Sequence, residues 1–268
     1  MSIYTNRSIV SLLNMTQEML RKGIENSRII KTACLTLLSG VSPSCISSEI
    51  VRCSVESQRE DGGYIGNSDT MFNALFLSHY PEHYSKVEKA LSWIQGNSTK
   101  NGGWGRTQRD MPRIPVTGLL LYFCPSLAMP KHLQWLEKTW TSEQNSLTYK
   151  AAYALAAFEK KRYEPQDKSI IANTVDWLIS QQEINGGFAP WKGHPVGANI
   201  LYTSVATLGL LAYGKNMLEN QILRAYRYMR DTQLSSGIWA YHEIEDGTSW
   251  GLYAMTRIEE FFNSEDLK

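Results

Sequence analysis

Arg224-Ala225-Tyr226-Arg227-Tyr228-Met229-Arg230-Asp231-Thr232-Gln233-Leu234-Ser235-Ser236-Gly237-Ile238-Trp239 is the stretch whose reading decides the fold. It runs as an amphipathic helix, turns at Gly237 and closes on an aromatic ring. The Gly-x-aromatic phrase recurs at Gly62-Gly63-Tyr64, Gly102-Gly103-Trp104 and Gly186-Gly187-Phe188. Gln58, Gln182 and Gln233 each stand four residues before the first Gly of their turn, and each copy follows a helical stretch. Repetition at about 35–50 residues means one supersecondary unit stacked on copies of itself.

Helical periodicity divides the chain into twelve segments, near 6–22, 26–39, 44–58, 68–79, 83–96, 113–123, 130–140, 146–158, 166–182, 198–213, 217–233 and 247–262. Gly23, Gly40, Pro43, Pro81, Pro125, Pro165 and Gly214 punctuate them. No alternating run is long enough for a strand. Segments such as Val87–Gln95 and Ile222–Gln233 keep their charges on one face, as an outer ring in contact with solvent requires. Segments such as Thr70–Leu77, Val116–Tyr122, Ala151–Phe158 and Leu201–Tyr213 carry almost no charge and are rich in small residues, which predicts burial. The expected fold is all-α: a single (α/α)6 barrel of six outer–inner hairpins over residues 1–268. Its inner ring comprises 26–39, 68–79, 113–123, 146–158, 198–213 and 247–262.

The phrase at 224–239 resembles the QW motif of the squalene–hopene and oxidosqualene cyclases, the class II terpene cyclases, whose relatives include the prenyltransferase β subunits. The copies at Tyr64 and Phe188 match in part. At Trp104 the Gln position is Ser98, and a further unit around Trp135-Leu136 has Trp140 in its place. The resemblance covers roughly residues 40–262. It implies that each motif lies at the turn from an outer to an inner helix, and that the fold is an (α/α)6 barrel. It also implies a proton donor in an Asp-x-Asp-Asp-Thr motif opening an inner helix. The nearest match is Gly66-Asn67-Ser68-Asp69-Thr70, with Ser68 in the donor position. This chain is therefore similar to a single-barrel member lacking the full acidic motif.

Bulk properties exclude more than they identify. Hydrophobic residues make up 43% of the 268, ordinary for a globular protein. A net charge of +1 without a long basic run argues against nucleic acid. The start has no basic region followed by an apolar core, so a cytoplasmic location is expected. Ile200–Tyr213 is too short to span a bilayer. Cys34, Cys45, Cys53 and Cys124 lack CxxC spacing and read as buried free thiols. Neither cofactor nor metal is expected, since the loop from Gly186 to Tyr202 offers His194 no Asp or Cys.

Every Gly-x-aromatic turn leads into an inner helix, so all inner N-termini should gather at one mouth, with their unpaired N–H groups. Asp69 reads either as a helix cap or as an acid kept protonated by an apolar pocket. Arg106, Arg109 and Arg113 form a rim suited to an anionic group, unless neighbouring carboxylates pair with them. Asp110 beside them should stay ionised. His194 and His242 could act as an acid–base pair or be structural. Asp246-Gly247-Thr248 reads first as a turn and cap. Trp191, Tyr202, Tyr241 and Trp250 could contact substrate, and Tyr122, Tyr153, Tyr202, Trp250 and Tyr253 either line a cavity or fill the centre.

Three functions follow. One is a cyclase of the isomerase or lyase type in natural-product biosynthesis, closing rings in an isoprenoid-like substrate with an anionic end. In it Asp69, Asp246, Asp110 and His242 are the catalytic candidates. Another is a noncatalytic barrel that binds a hydrophobic or peptide ligand during natural-product maturation. The third is a carbohydrate-active enzyme pairing Asp110 with Asp246 beside Trp191 and Trp250.

Overall fold

Prolines and capping hydroxyls set where the helices begin. The computed structural model describes residues 1–213 and 218–262. Its helices are α1 (Ile3–Arg21), α2 (Asn26–Leu38), α3 (Ser48–Glu56), α4 (Asn67–Leu77), α5 (Tyr84–Gly96), α6 (Ile114–Phe123), α7 (Pro130–Glu143), α8 (Thr148–Lys160), α9 (Ser169–Ser180), α10 (Ile200–Tyr213), α11 (Glu219–Thr232) and α12 (Ile244–Phe262). No strand occurs among the described residues. Short 3-10 turns at Pro43–Cys45, Pro81–His83 and Pro125–Leu127 follow α2, α4 and α6, each opening on a proline whose missing N–H is no loss there. The first of these explains why α3 starts later than the sequence suggests: Ser47 caps the helix by accepting from Ile50 N at 3.4 Å. Conversely, α12 starts three residues earlier than 247, at Ile244. The turn expected at Gly214 and the first residue of the segment 217–233 lie outside the described residues.

The inner ring is the one the charge pattern indicates. Helices α2, α4, α6, α8, α10 and α12 each pack on the next, and α12 closes on α2. Outer helices α1, α3, α7, α9 and α11 each wedge against two inner neighbours, while α5 packs on α4. An all-α (α/α)6 barrel is the result. Small residues permit the close inner contacts: a Cβ at Gly118 would meet Tyr153 at 2.8 Å, and one at Gly209 would meet Ala152 Cα at 2.6 Å.

The repeated turn is built the same way in the three copies that carry the glutamine. Gln58 Nε2 donates to the carbonyl of Gly62 in its own turn and to Lys86 O on the next outer helix, both at 2.9 Å. Gln182 does the same with Gly186 O and Gln221 O, again at 2.9 Å. Gln233 reaches Gly237 O at 3.3 Å and Tyr4 O at 3.1 Å, so the last turn grips α1 and closes the ring. The first Gly holds a left-handed φ (91° at Gly62, 89° at Gly186, 85° at Gly237), and a Cβ there would strike the backbone of that next outer helix. Trp93, Trp135 and Tyr228 cover the second glycines, Gly63, Gly103 and Gly187. Of these outer-helix rings Tyr228 is buried, while Trp93 and Trp135 are half-buried.

The turn aromatic faces inward and is held at both ends. Its backbone N–H donates to a threonine in the first turn of the following inner helix: Tyr64 to Thr70, Trp104 to Thr117, Phe188 to Thr203 and Trp239 to Thr248, at 2.8–3.3 Å. Its polar tip, where it has one, donates to a carbonyl ten residues back on the outer helix. Tyr64 Oη reaches Ser54 O at 3.0 Å, and Trp104 Nε1 and Trp239 Nε1 reach Ile94 O and Met229 O at 2.7 Å. Cys34 and Cys124 are buried free thiols as expected, but Cys45 is exposed because it ends a surface 3-10 turn, and Cys53 is half-buried.

Trp239→Ala empties a fully buried aromatic site and is expected to cost ~3–5 kcal/mol in urea unfolding. Trp239→Phe keeps most of the ring but orphans Met229 O, and should fall between the two. An unchanged Trp239→Ala midpoint would show that the turn does not brace the barrel.

Candidate active site

At the mouth, the start of α4 is fixed from outside. Gly66 takes the N-cap position in extended backbone, Asn67 N donates to Arg106 O at 2.8 Å, and Asn67 Nδ2 donates to Gly105 O at 3.0 Å. Asp69 is therefore the third residue of the helix and not its cap. Its carboxyl is half-buried and lines two adjoining clefts. One, of about 430 Å³, runs between α2 and α4 past Asn26, Ser57, Arg59, Tyr64 and Asn73. The other, of about 160 Å³, lies between α2, α4 and the start of α12. Burial raises the Asp69 pKa above the ordinary carboxylate value, and Glu25 adds to it. The Lys31 charge and the backbone N–H groups of Asp69 and Gly66 oppose the shift without cancelling it.

The smaller cleft is an ion cluster. Lys31 Nζ sits 2.6 Å from Asp246 Oδ1, and Arg28 Nε donates to Glu245 Oε1 at 2.8 Å. Glu243 completes the lining. Asp246 lies inside the first turns of α12, which corrects the reading of Asp246-Gly247-Thr248 as a turn ahead of the helix. Sequence reasoning passed over Arg28 and Lys31. The available signal was that they are the only charges in α2, an otherwise uncharged inner helix.

The other expected residues are distributed around the rim. Arg106, Arg109 and Arg113 are exposed, line neither of these clefts, and form no ion pair among the described residues. Asp110 folds back on its own loop, where Oδ2 accepts from Thr107 N at 3.2 Å. His194 lies edge-on to Trp191 at 4.1 Å, and its Nδ1 accepts from Val196 N at 3.1 Å. His242 lies tilted against Tyr241, with ring centroids 4.2 Å apart. Each histidine is thus engaged within its own loop. Tyr202 faces Tyr149 at 6.0 Å.

Below the mouth the barrel is aromatic. Phe123 lies 6.0 Å from Phe72, 6.1 Å from Trp250 and 5.6 Å from Tyr253, and the Tyr122 and Tyr253 hydroxyls meet at 3.0 Å. Trp250 is only 3% exposed, so it is part of this packing and not the open platform a sugar ring needs. Phe72 and Phe123 belong to the cluster but were not singled out from the sequence. Tyr153 sits between cluster and mouth; burial raises its pKa, with the Asp246 charge adding to the shift.

A sequence model of the prenyltransferase alpha-alpha toroid domain matches residues 126–264. The chain belongs to that family. No curated protein matches it in sequence. Among solved structures it is similar to the type II terpene cyclase MstE from Scytonema, with a TM-score of 0.68 and 12% identity over 96% of this chain and 99% of that one. A variant of MstE is in complex with geranylgeranyl dihydroxybenzoate, its substrate, and another with merosterolic acid A, its product. A protein from Actinoplanes also reaches a TM-score of 0.68, at 10% identity over 93% of this chain and 99% of that one. A glycosyl hydrolase of family 88 from Bacteroides vulgatus reaches 0.58, at 12% identity over 94% and 98%. At such identities the likeness is one of fold. No helix among the described residues is long and apolar enough to cross a membrane.

The raised Asp69 pKa makes a thermodynamic demand. Between the unfolded and folded pKa values the folded state binds more protons, so stability falls as pH rises through that window. Asp69→Asn should therefore melt higher than wild type at pH 7. The gain should disappear well below pH ~3.9, where the carboxyl is protonated in both states. Calorimetry showing a lower melting temperature for Asp69→Asn at pH 7 would contradict the assignment.

Proposed function

We propose that this family member is a terpene cyclase-like enzyme in natural-product biosynthesis, with Asp69 as the acid that starts cyclisation or isomerisation of an isoprenoid carrying an anionic end. The observation that carries this reading is the Asp69 carboxyl itself. It is half-buried at the start of an inner helix, its pKa is raised by burial, and it opens to a cleft. An acid of that kind can give its proton to an alkene only where water does not compete for it. The carbocation so formed closes rings by alkene attack and loses a proton at the end, so substrate and product are isomers. Rings such as Phe72, Phe123, Tyr122, Trp250 and Tyr253 offer quadrupoles to a cation in the barrel.

Asp69 is preferred over the other acids on contacts. Asp246 already balances Lys31, and Asp110 serves its own turn. Arg106, Arg109 and Arg113, unpaired on the rim, are the groups to hold the anionic end. The substrate bound by MstE, a geranylgeranyl chain on a dihydroxybenzoate, is of this chemical type. The site needs neither metal nor cofactor for such a reaction, and the same reading suits a cytoplasmic protein. One observation favours a second reading, a noncatalytic barrel binding a hydrophobic ligand: Ser68 stands where the resemblance places the proton donor, and a hydroxyl is too weak an acid for an alkene.

Geranylgeranyl dihydroxybenzoate is a suitable probe, with products sought by chromatography at unchanged mass. Asp69→Asn should abolish turnover while leaving the Kd within about threefold. Arg109→Ala should weaken binding about tenfold, a loss of ~1.4 kcal/mol. Binding without conversion by wild type would support the noncatalytic reading. Full activity in Asp69→Asn, Asp110→Asn and Asp246→Asn alike would exclude an acid-initiated reaction at these carboxyls.

A further inference from the structure

The Lys31 ammonium is the largest influence opposing the raised pKa of Asp69. It lies on α2, lines the same 160 Å³ cleft, and its charge favours the ionised carboxylate. Its position is nevertheless committed. Lys31 Nζ meets Asp246 Oδ1 on α12 at 2.6 Å and lies over the Phe72 ring, 5.8 Å from its centroid. The neighbouring cation of α2, Arg28, is likewise committed to Glu245. Both cations of the cleft are thus drawn toward α12 by carboxylates some 215 residues distant in sequence, a pairing that exists only because the ring closes.

We propose that Asp246, by holding the Lys31 ammonium in an ion pair across the cleft they share with Asp69, limits the pull of that cation on the Asp69 carboxyl, making Lys31 and Asp246 a positioning pair for the acid. The inference rests on the cyclisation reading for its purpose, but not for its physics. An opposite charge within a few ångströms stabilises a carboxylate, and a like charge destabilises it. Lys31 held at Asp246 still favours the ionised Asp69, but with its ammonium drawn toward α12 and part of its charge offset there. Lys31 alone would present a full positive charge. The other charged groups around Asp69 do not reverse this. Glu25 and Arg28 flank it from α2 and the turn before it, Glu243 and Glu245 from α12 and its approach, and Arg59 from across the larger cleft. Arg106 touches the start of α4 through its backbone carbonyl. Asp246 is in this view a positioning residue and not a second acid.

The test needs no substrate. The Asp69 carboxyl is titrated by carbon NMR in the full chain, with Asp69→Asn identifying the signal. Asp246→Asn should lower the Asp69 midpoint by about one pH unit, a tenfold loss of proton affinity. Lys31→Met should raise it. In the Lys31→Met background, adding Asp246→Asn should have less than half its effect in wild type. An equal fall in both backgrounds would show that Asp246 acts on Asp69 directly and would overturn the role of Lys31. An unmoved Asp69 midpoint in Asp246→Asn would overturn the proposal altogether. If either variant unfolds, Asp246→Glu and Lys31→Arg, which keep the charges, must restore the wild-type midpoint; failure to do so counts against it. A normal titration pattern in a chain that converts no isoprenoid would leave this pair intact and remove the cyclase reading alone.

Discussion

The barrel depends on one hydrogen-bonding group, the side-chain amide that follows outer helices α3, α9 and α11. A glutamine Nε2 has two donors, and in this turn one holds the turn's own glycine carbonyl while the other holds a carbonyl of the next outer helix. Three elements are thereby fixed at once: the helix that ends, the turn that leads inward, and the neighbouring hairpin. The glycine with positive φ lets the two backbones touch, and the aromatic ring ties the inner helix to the outer one. A hairpin of two helices cannot bury its apolar face alone, so this lateral grip is what makes stacking possible. At the last copy the grip falls on Tyr4 and Arg7 of α1, and Ser8 Oγ adds a bond of 2.6 Å to Gly237 O. An open stack becomes a ring.

Where the glutamine is missing, the structure shows the same demand met differently. The turn before Trp104 has Ser98 in that place, and Lys131 of the next outer helix reaches back to Ser98 Oγ at 3.2 Å and Thr99 O at 3.4 Å. In the unit without a Gly-x-aromatic phrase, Asn145 adopts the left-handed turn, and Thr148 Oγ1 donates to Ala189 O in the following loop. The constraint is on backbone carbonyls, and residue identity follows from it.

This explains why the fold was legible in the sequence and the site much less so. Twelve helices and the inner–outer alternation leave periodic traces within each helix, and the repeated turn leaves its own. Helix starts were misjudged by a few residues where a proline or a serine cap intervened, as at Ser47, or where an acidic run was already helical, as at Glu245-Asp246. Asp69 could be picked out because its neighbours on α4 form a local pattern. Arg28 and Lys31 acquire their meaning from Glu245 and Asp246, which no local window contains. Trp250 illustrates the reverse error: an aromatic on an inner helix reads equally as ligand platform or packing, and only its neighbours Phe123 and Tyr253 assign it to packing.

The raised pKa of Asp69 is the outcome of a contest whose terms can be ordered. Helix α4 places this carboxyl in its first turn, where the partial positive charge of the N-terminus favours the ionised form by roughly 0.3–1 kcal/mol. Lys31 pulls the same way. Against both stands burial, the largest influence, since a carboxylate loses hydration that this wall of α2, α4 and α12 does not replace with strong donors. The charge balance of the cleft favours the same side. Asp69, Glu243, Glu245 and Asp246 face only Arg28 and Lys31, so four acids share two cations. Crowding of like charges adds to the cost of ionising a carboxylate that no cation touches directly. Glu245 and Asp246 have cations in direct contact, and Asp69 does not. Ring closure therefore does more than complete the fold: by bringing α12 against α2 it supplies carboxylates that engage Arg28 and Lys31, and Asp69 is left facing the cleft without a cation in direct contact.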